Sequence, residues 1–177
     1  MSRILEWLKD INLISILQCG FRSHRQTSDH ILRLIQDAIT AFNIKHECGA
    51  LFIDIEKAFD KVWHNGLLHV LDSYKIPDYL GRWIKNYLNG RTFQVRTKEF
   101  LSTIRQILAG VPQGSVLGPI LFIIYFNSLS KALTIQRGPS QGYFADDVAI
   151  WKTSSNIKAI EAALQESLSR IEDWMNS

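Results

Sequence analysis

Three carboxylates carry the chemistry that this sequence can do. Asp54 lies in the short apolar run Gly49-Ala50-Leu51-Phe52-Ile53-Asp54-Ile55, and Asp146-Asp147 stands between Tyr143-Phe144-Ala145 and Val148-Ala149-Ile150-Trp151. An ionised carboxylate in an apolar strand is costly unless it is paired or bound to a metal. Two adjacent aspartates between apolar runs raise the same question, because a two-residue hairpin turn prefers Asn-Gly or Asp-Gly. A strand-end aspartate and a hairpin-tip pair can meet at one edge of a sheet. Together they make a cluster of oxygen ligands suited to Mg²⁺. Two such ions, about 3.5–4 Å apart, activate an attacking oxygen and stabilise a leaving one in phosphoryl transfer. Taken singly, Asp146-Asp147 also reads as a solvated turn and Asp54 as a strand-end cap; the cluster accounts for all three at once. Asp60, within Glu56-Lys57-Ala58-Phe59-Asp60-Lys61, reads as a solvated helix start or an ion-pair face.

The histidines offer no comparable site. His64 and His69 are five apart, on different sides of a helix, and the adjacent His46-Glu47-Cys48 is poorly spaced to close one tetrahedral centre. Cys19 and Cys48 form no CxxC pair and point to a reducing compartment.

The elements that must position the carboxylates follow from periodicity and punctuation. Residues 3–17 predict a short amphipathic helix, broken by Gly20. A second helix is expected from Thr27 or Ser28, as N-cap, to about Lys45, with Ile31, Leu34, Ile35, Ala38, Ile39 and Phe42 on one face. The run 49–55 predicts a strand buried on both faces. Helices are expected at 65–75 and 78–89, strands at 92–97 and 102–108, a loop at 110–114 and a buried helix at 115–128. Strands at 143–145 and 148–151 meet at Asp146-Asp147. A helix over 155–176 carries Ile157, Ile160, Leu164, Leu168, Ile171 and Trp174 in a stripe. Helices and strands mix without strict alternation, so the fold class is α+β, with helices on an antiparallel sheet.

Composition sets the outer bounds. The 177 residues are 46% hydrophobic and 21% charged, enough for one ordinary domain. This excludes wholesale disorder, a collagen-like fibre and a disulfide scaffold. The first ten residues, with Glu6 and Asp10, lack a signal peptide's apolar core. The longest apolar stretch, 116–126, is shorter than the roughly 20 residues of a membrane span, so no membrane partner is expected. The net charge of +3 is small, but it is polarised: Arg82, Lys85, Arg91, Arg96, Lys98 and Arg105 face Glu99 alone in that segment. The final helix instead carries Glu161, Glu166, Glu172 and Asp173 against Lys158 and Arg170. A nucleic-acid face requires such polarity, although each cation alone also reads as solvated surface. Phe93 and Tyr87 have the chemistry to stack on bases but read first as core.

Four segments, in order, carry a family resemblance. Ala50 to His64 resembles the first catalytic motif of reverse transcriptases from non-LTR retrotransposons, the jockey-like elements above all. Ala109-Gly110-Val111-Pro112-Gln113-Gly114-Ser115-Val116-Leu117-Gly118-Pro119 is similar to their second palm motif, and Tyr143-Phe144-Ala145-Asp146-Asp147 to the third. Gln18-Cys19-Gly20-Phe21-Arg22 with Arg25-Gln26-Thr27-Ser28-Asp29 resembles the fingers segment.

The resemblance implies one reverse transcriptase domain over 1–177: partial fingers and a connecting helix over about 1–48, then a polymerase palm over 49–177 with a fingers-side insertion. It implies RNA-directed DNA polymerase activity, with an RNA template, a DNA primer and dNTPs as partners and two Mg²⁺ ions, replaceable by Mn²⁺, as cofactor. Asp54, Asp146 and Asp147 would be the catalytic metal ligands, joined by the backbone of Ile55. Ala58, Phe59, Gln113 and Gly114 would line the nucleotide site. A bulky Phe59 ring beneath the sugar leaves no room for a 2′-OH, the group that separates ribonucleotides from deoxynucleotides, although Phe59 also suits ordinary packing. Arg22, Arg25, Arg91 and Arg96 would contact nucleic acid. By resemblance the location is intracellular, nuclear or cytoplasmic. Relative to the family pattern the chain is expected to be truncated at both ends, without a thumb. The alternative is a catalytically inactive, nucleic-acid-binding relic of the same fold.

Overall fold

A computed structural model of the chain describes Ile4, Trp7 and residues 13–22, 24–134 and 138–176. The helix expected over 3–17 lies largely outside the described residues; over 13–17 the chain forms bends and turns. The elements are α1 (Thr27–Asn43), β1 (Glu47–Ile53), α2 (His64–Ser73), α3 (Asp78–Leu88), β2 (Thr92–Phe93), β3 (Arg105–Gln106), α4 (Gly118–Leu133), β4 (Ser140–Phe144), β5 (Asp147–Ser154) and α5 (Ile157–Met175). They fall into two compact units, one containing residues 57–125 and the other 14–56 with 126–176.

The second unit is built on a three-stranded antiparallel sheet of order β1-β5-β4. On one face lie Val148, Ile150 and Tyr143, all buried, covered by α5 and the second half of α4. Phe126 packs edge-on against both Tyr143 and Trp174, with centroids 6.2 and 5.9 Å away. The other face carries Phe52, Ala149, Trp151, Gly142 and Phe144 and receives α1. Trp151 is fully buried there; its indole N–H donates to the Asp37 carboxylate at 2.8 Å, and Arg33 lies over its ring. Burying a side chain of this size contributes roughly 3–5 kcal/mol.

Two expectations change here. β1 is an edge strand of this sheet with Ala50 and Phe52 exposed, so it is not buried on both faces. The apolar row Ile31, Ile35, Ile39 and Phe42 of α1 is exposed, and of the α1 residues only Ala41 is fully buried. The helix turns Asp37 to the sheet because the Trp151 N–H needs an acceptor once buried. Its N-cap is Gln26 rather than Thr27 or Ser28, and the Gln26 N–H donates to the Asp29 carboxylate at 3.1 Å.

In the first unit α2 and α3 pack through Leu67, Leu71, Leu80, Ile84 and Leu88, all buried. Leu121, Phe122 and Ile124 of α4 are buried in the same unit. Pro119 sits in the first turn of α4, where no N–H is required. The strands expected at 92–97 and 102–108 shrink to β2 and β3. Beyond them the pairing continues irregularly: the Ser102 and Thr97 N–H groups donate to the Val95 and Phe100 carbonyls, both at 2.9 Å, while Val95 N–H donates to Ser102 Oγ and Phe100 N–H to Thr97 Oγ1. Phe93 is exposed rather than core. Among the described residues no helix is long and apolar enough to cross a membrane.

Candidate active site

The β1–β5 register decides where the carboxylates stand. Ile53 pairs with Val148 and Phe144 with Asp147. Carried one residue past β1, that register sets Asp54 opposite Asp147 at one end of the sheet. Asp54 is exposed and lies just beyond the strand, so the desolvation cost expected inside an apolar run does not apply to it. The hairpin tip is Ala145-Asp146, and Asp147 is the first residue of β5; the pair does not form the turn as a unit. Ala145 adopts a left-handed φ of 55°, which costs an L-residue about 1–2 kcal/mol.

The three aspartates feel one another. The Asp147 carboxyl is held above the usual carboxylate range, first by partial burial and then by the charges of Asp146 and Asp54. Asp147 is exposed as a residue and lines a cavity of about 310 Å³ together with Asp54, Phe52, Phe144, His30 and Ile31. No ion pair to any of the three occurs among the described residues. Nor do any three His, Cys, Asp or Glu side chains among those residues converge into a ready metal cluster. The donor chemistry nevertheless suits a hard divalent cation: all donors are carboxylate oxygens, they share one end of a sheet, and their mutual repulsion is relieved by positive charge.

The same cavity brings in a residue that the sequence reading passed over. His30 packs its ring against Gly142, and its Nε2 is buried without a hydrogen-bond partner. Burial lowers its pKa, against the raising effect of hydrogen bonds to the Leu17 and Tyr143 backbones. Its sequence neighbours, polar Ser28 and Asp29, gave no sign of this placement.

The remaining predicted residues divide between the units. Ala58 is buried, and Phe59 is half-buried, stacked on Phe122 with centroids 4.4 Å apart and planes 13° from parallel. Residues 56–61 form turns rather than a helix start, with Lys57 at φ 54°. Asp60 is exposed, as a solvated position would be, and its carboxylate also accepts from the Gln113 amide at 2.9 Å. Two backbone bonds tie this loop back: Gly110 N–H to Val62 O and Val111 N–H to Phe59 O, each 2.8 Å. Gly114 has φ 78° with open space where a Cβ would stand, so conformation explains the glycine there, not a close protein neighbour. Arg91 lies over Tyr87 at 5.4 Å, and Arg96 is exposed on the β2–β3 hairpin. In the other unit Arg25 is exposed, and the Arg22 guanidinium donates to the carbonyls of Ser15 and Gln18.

A family model described as reverse transcriptase (RNA-dependent DNA polymerase) matches residues 1–177. The chain belongs to the reverse transcriptase family. It is 36% identical over 179 residues to the RNA-directed DNA polymerase from mobile element jockey of Drosophila funebris, covering 98% of this chain and 19% of that protein. It is 35% identical over 185 residues to a probable RNA-directed DNA polymerase from transposon X-element of Drosophila melanogaster, covering 98% and 20%. This reverse transcriptase chain thus spans about a fifth of the length of the curated relatives it matches. Its fold is shared with telomerase from Candida tropicalis in complex with a fragment of telomeric RNA, with a TM-score of 0.69 at 14% identity over 93% of this chain and 30% of that one. The architecture is the α+β polymerase palm, and the family implies dependence on a divalent metal.

Proposed function

We propose that this chain carries the nucleotidyl-transfer centre of an RNA-directed DNA polymerase of a non-LTR retrotransposon. The observation that carries the reading is the placement of Asp54 opposite Asp147, beside Asp146, at one end of the β1-β5-β4 sheet. The reaction is attack of a primer 3′-oxygen on the α-phosphorus of a dNTP, with loss of pyrophosphate. Asp54, Asp146 and Asp147, with the Ile55 carbonyl, would hold the cation, two Mg²⁺ ions in the full reading, with Mn²⁺ as substitute. Bound there, the metal supplies electrostatic stabilisation of the attacking and leaving oxygens. The protein's contribution is to present carboxylates whose repulsion favours that charge.

The nucleotide would meet Ala58, Phe59, Gln113 and Gly114. Phe59 is backed by the Phe122 ring, which leaves it no room to retreat from a 2′-OH. Gln113 is oriented by Asp60, and Gly114, whose positive φ suits glycine, leaves the backbone bare for lack of a side chain. Template and primer phosphates would lie against Arg91 and Arg96, with Arg25 on the fingers side. Arg22, whose guanidinium holds the loop that carries Gln18, would act there chiefly by shaping the segment. In domain terms we assign about 1–48 to fingers and connecting helix and 49–177 to the palm; the compactness of 57–125 supports a fingers-side insertion there.

The test is single-nucleotide incorporation on an RNA template with a DNA primer, with and without Mg²⁺, with Asp146→Ala alongside. Incorporation that needs the metal and disappears in the variant is the expected result. A folded chain that binds RNA in a salt-sensitive way but incorporates nothing would overturn it in favour of the inactive relic.

A further inference from the structure

The turn that carries Asp146 is gripped from outside the sheet. Gln18 is 4% exposed, and its side chain contacts both polar groups of Ala145. Oε1 accepts from the Ala145 N–H at 3.0 Å, and Nε2 donates to the Ala145 carbonyl at 3.2 Å. The same Oε1 accepts from the Gly20 N–H at 2.8 Å, so the amide joins two chain segments through one oxygen. The supporting segment is itself fixed. Cys19 N–H donates to Tyr143 O at 2.8 Å, and Tyr143 N–H to Leu17 O at 2.9 Å, a short parallel bridge along the last part of β4. Gly20 completes the fit: a Cβ there would stand 2.2 Å from the Ala145 nitrogen and 2.7 Å from its Cα.

Ala145 is the residue in front of Asp146, held at φ 55° without the conformational freedom of a glycine. A non-glycine residue at positive φ persists where its surroundings hold it there. A primary amide is the side chain suited to this, since it donates and accepts at once and so engages both peptide groups that flank one residue. We propose that Gln18 is a positioning residue for the carboxylate centre: by clamping Ala145 it fixes the hairpin tip and with it the direction of the Asp146 carboxylate. The role rests on the metal-site reading above. It gives the Gln18-Cys19-Gly20 segment a task beyond joining the fingers to the palm.

The experiment uses the whole 177-residue chain and Mn²⁺ as the probe. Two readouts are taken: exchange of the Ala145 amide hydrogen, and Mn²⁺ affinity measured from paramagnetic relaxation. Gln18→Met keeps the shape and removes both bonds to Ala145. Gln141→Met is the control; Gln141 is buried on β4, donates to Leu133 O at 2.7 Å and accepts from the Tyr143 hydroxyl, and makes no hydrogen bond to Ala145. In Gln18→Met the Ala145 amide should exchange about tenfold faster or more, while the ladder amides of Leu51 and Ile150 keep their rates. Mn²⁺ affinity should fall about tenfold, as for other lost supports of metal ligands. Gln141→Met should leave both readouts at wild-type values. Unchanged Ala145 exchange and Mn²⁺ affinity in Gln18→Met, or equal losses in Gln141→Met, would overturn the clamp. If Gln18→Met does not fold, Gln18→Asn replaces it, an amide one methylene too short, with the same two losses expected and the same reversal if they fail to appear. A wild-type chain that binds no Mn²⁺ refutes the metal-site reading and the positioning role together. A wild-type chain that binds it, beside a Gln18→Met chain that binds it equally, refutes the positioning role alone.

Discussion

Asp147 shows most directly what the site does to single residues. Its carboxyl titrates above the ordinary range because burial, Asp146 and Asp54 all disfavour the anion. A raised acid pKa means that the fold carries a cost whenever the group is ionised. That cost is absent below the unfolded value of about 3.9 and complete above the raised folded value. Asp147→Asn should therefore stabilise the metal-free chain at pH 7, by less than about 1 kcal/mol since the residue is exposed. The advantage should close as the pH falls below about 4. Urea midpoints of both chains at the two pH values check this, and a variant less stable at pH 7 would contradict it. The gain would run against the metal-binding role proposed for the site, since the repulsion that destabilises the chain is what a divalent cation would relieve.

Among the elements, α1 is seated on the sheet by the packing of His30 against Gly142 and by the polar contacts of Asp37. Asp37 accepts from the buried Trp151 indole and lies 3.5 Å from Ser140 Oγ. Asp37→Ala leaves a fully buried N–H without its acceptor, and should cost about 1–3 kcal/mol. Denaturant unfolding reads that loss; Asp29→Ala, at the exposed start of the same helix, should cost less. This contact also explains why the periodicity of α1 misled. Ile31, Ile35, Ile39 and Phe42 recur at helical spacing, and a sequence pattern assigns such a row to the core. The side turned inward carries His30, Leu34, Asp37, Ala38 and Ala41, with Asp37 supplying the acceptor that Trp151 needs. The β2–β3 arm departed in another way: its alternation is strand-like, but beyond β2 and β3 the backbone pairing survives only in part, with the Ser102 and Thr97 side chains accepting from the Val95 and Phe100 N–H groups.

For the molecule as a whole, the small net charge conceals its distribution. Arg91, Arg96, Lys98 and Arg105 lie on or beside a hairpin that also exposes Phe93, Phe100 and Ile104. Cations interleaved with exposed apolar and aromatic groups fit phosphate contact plus base stacking. Replacing Arg91 and Arg96 with alanine should weaken RNA–DNA hybrid binding uniformly across sequences. It should also lower the slope of log affinity against log salt by about 1 for each lost phosphate contact. A slope equal to wild type would place the nucleic acid elsewhere.

The family was legible in the sequence, because residue type and order carry it. Local rules also found the α+β class, the β4–β5 hairpin and α5, whose stripe is covered at Ile160 and Ile171. Other features depend on which segments meet across long separations, and no local pattern holds that information. The register that sets Asp54 opposite Asp147 is one, and the pairing of Asp60 with Gln113 is another. The unpartnered Nε2 of His30 and the grip of Gln18 on Ala145 belong with them. A buried amide is informative only through the partners that bury it, and those stand 127 residues away. Composition and order name the chemistry, and tertiary contact decides which side chains hold it in place.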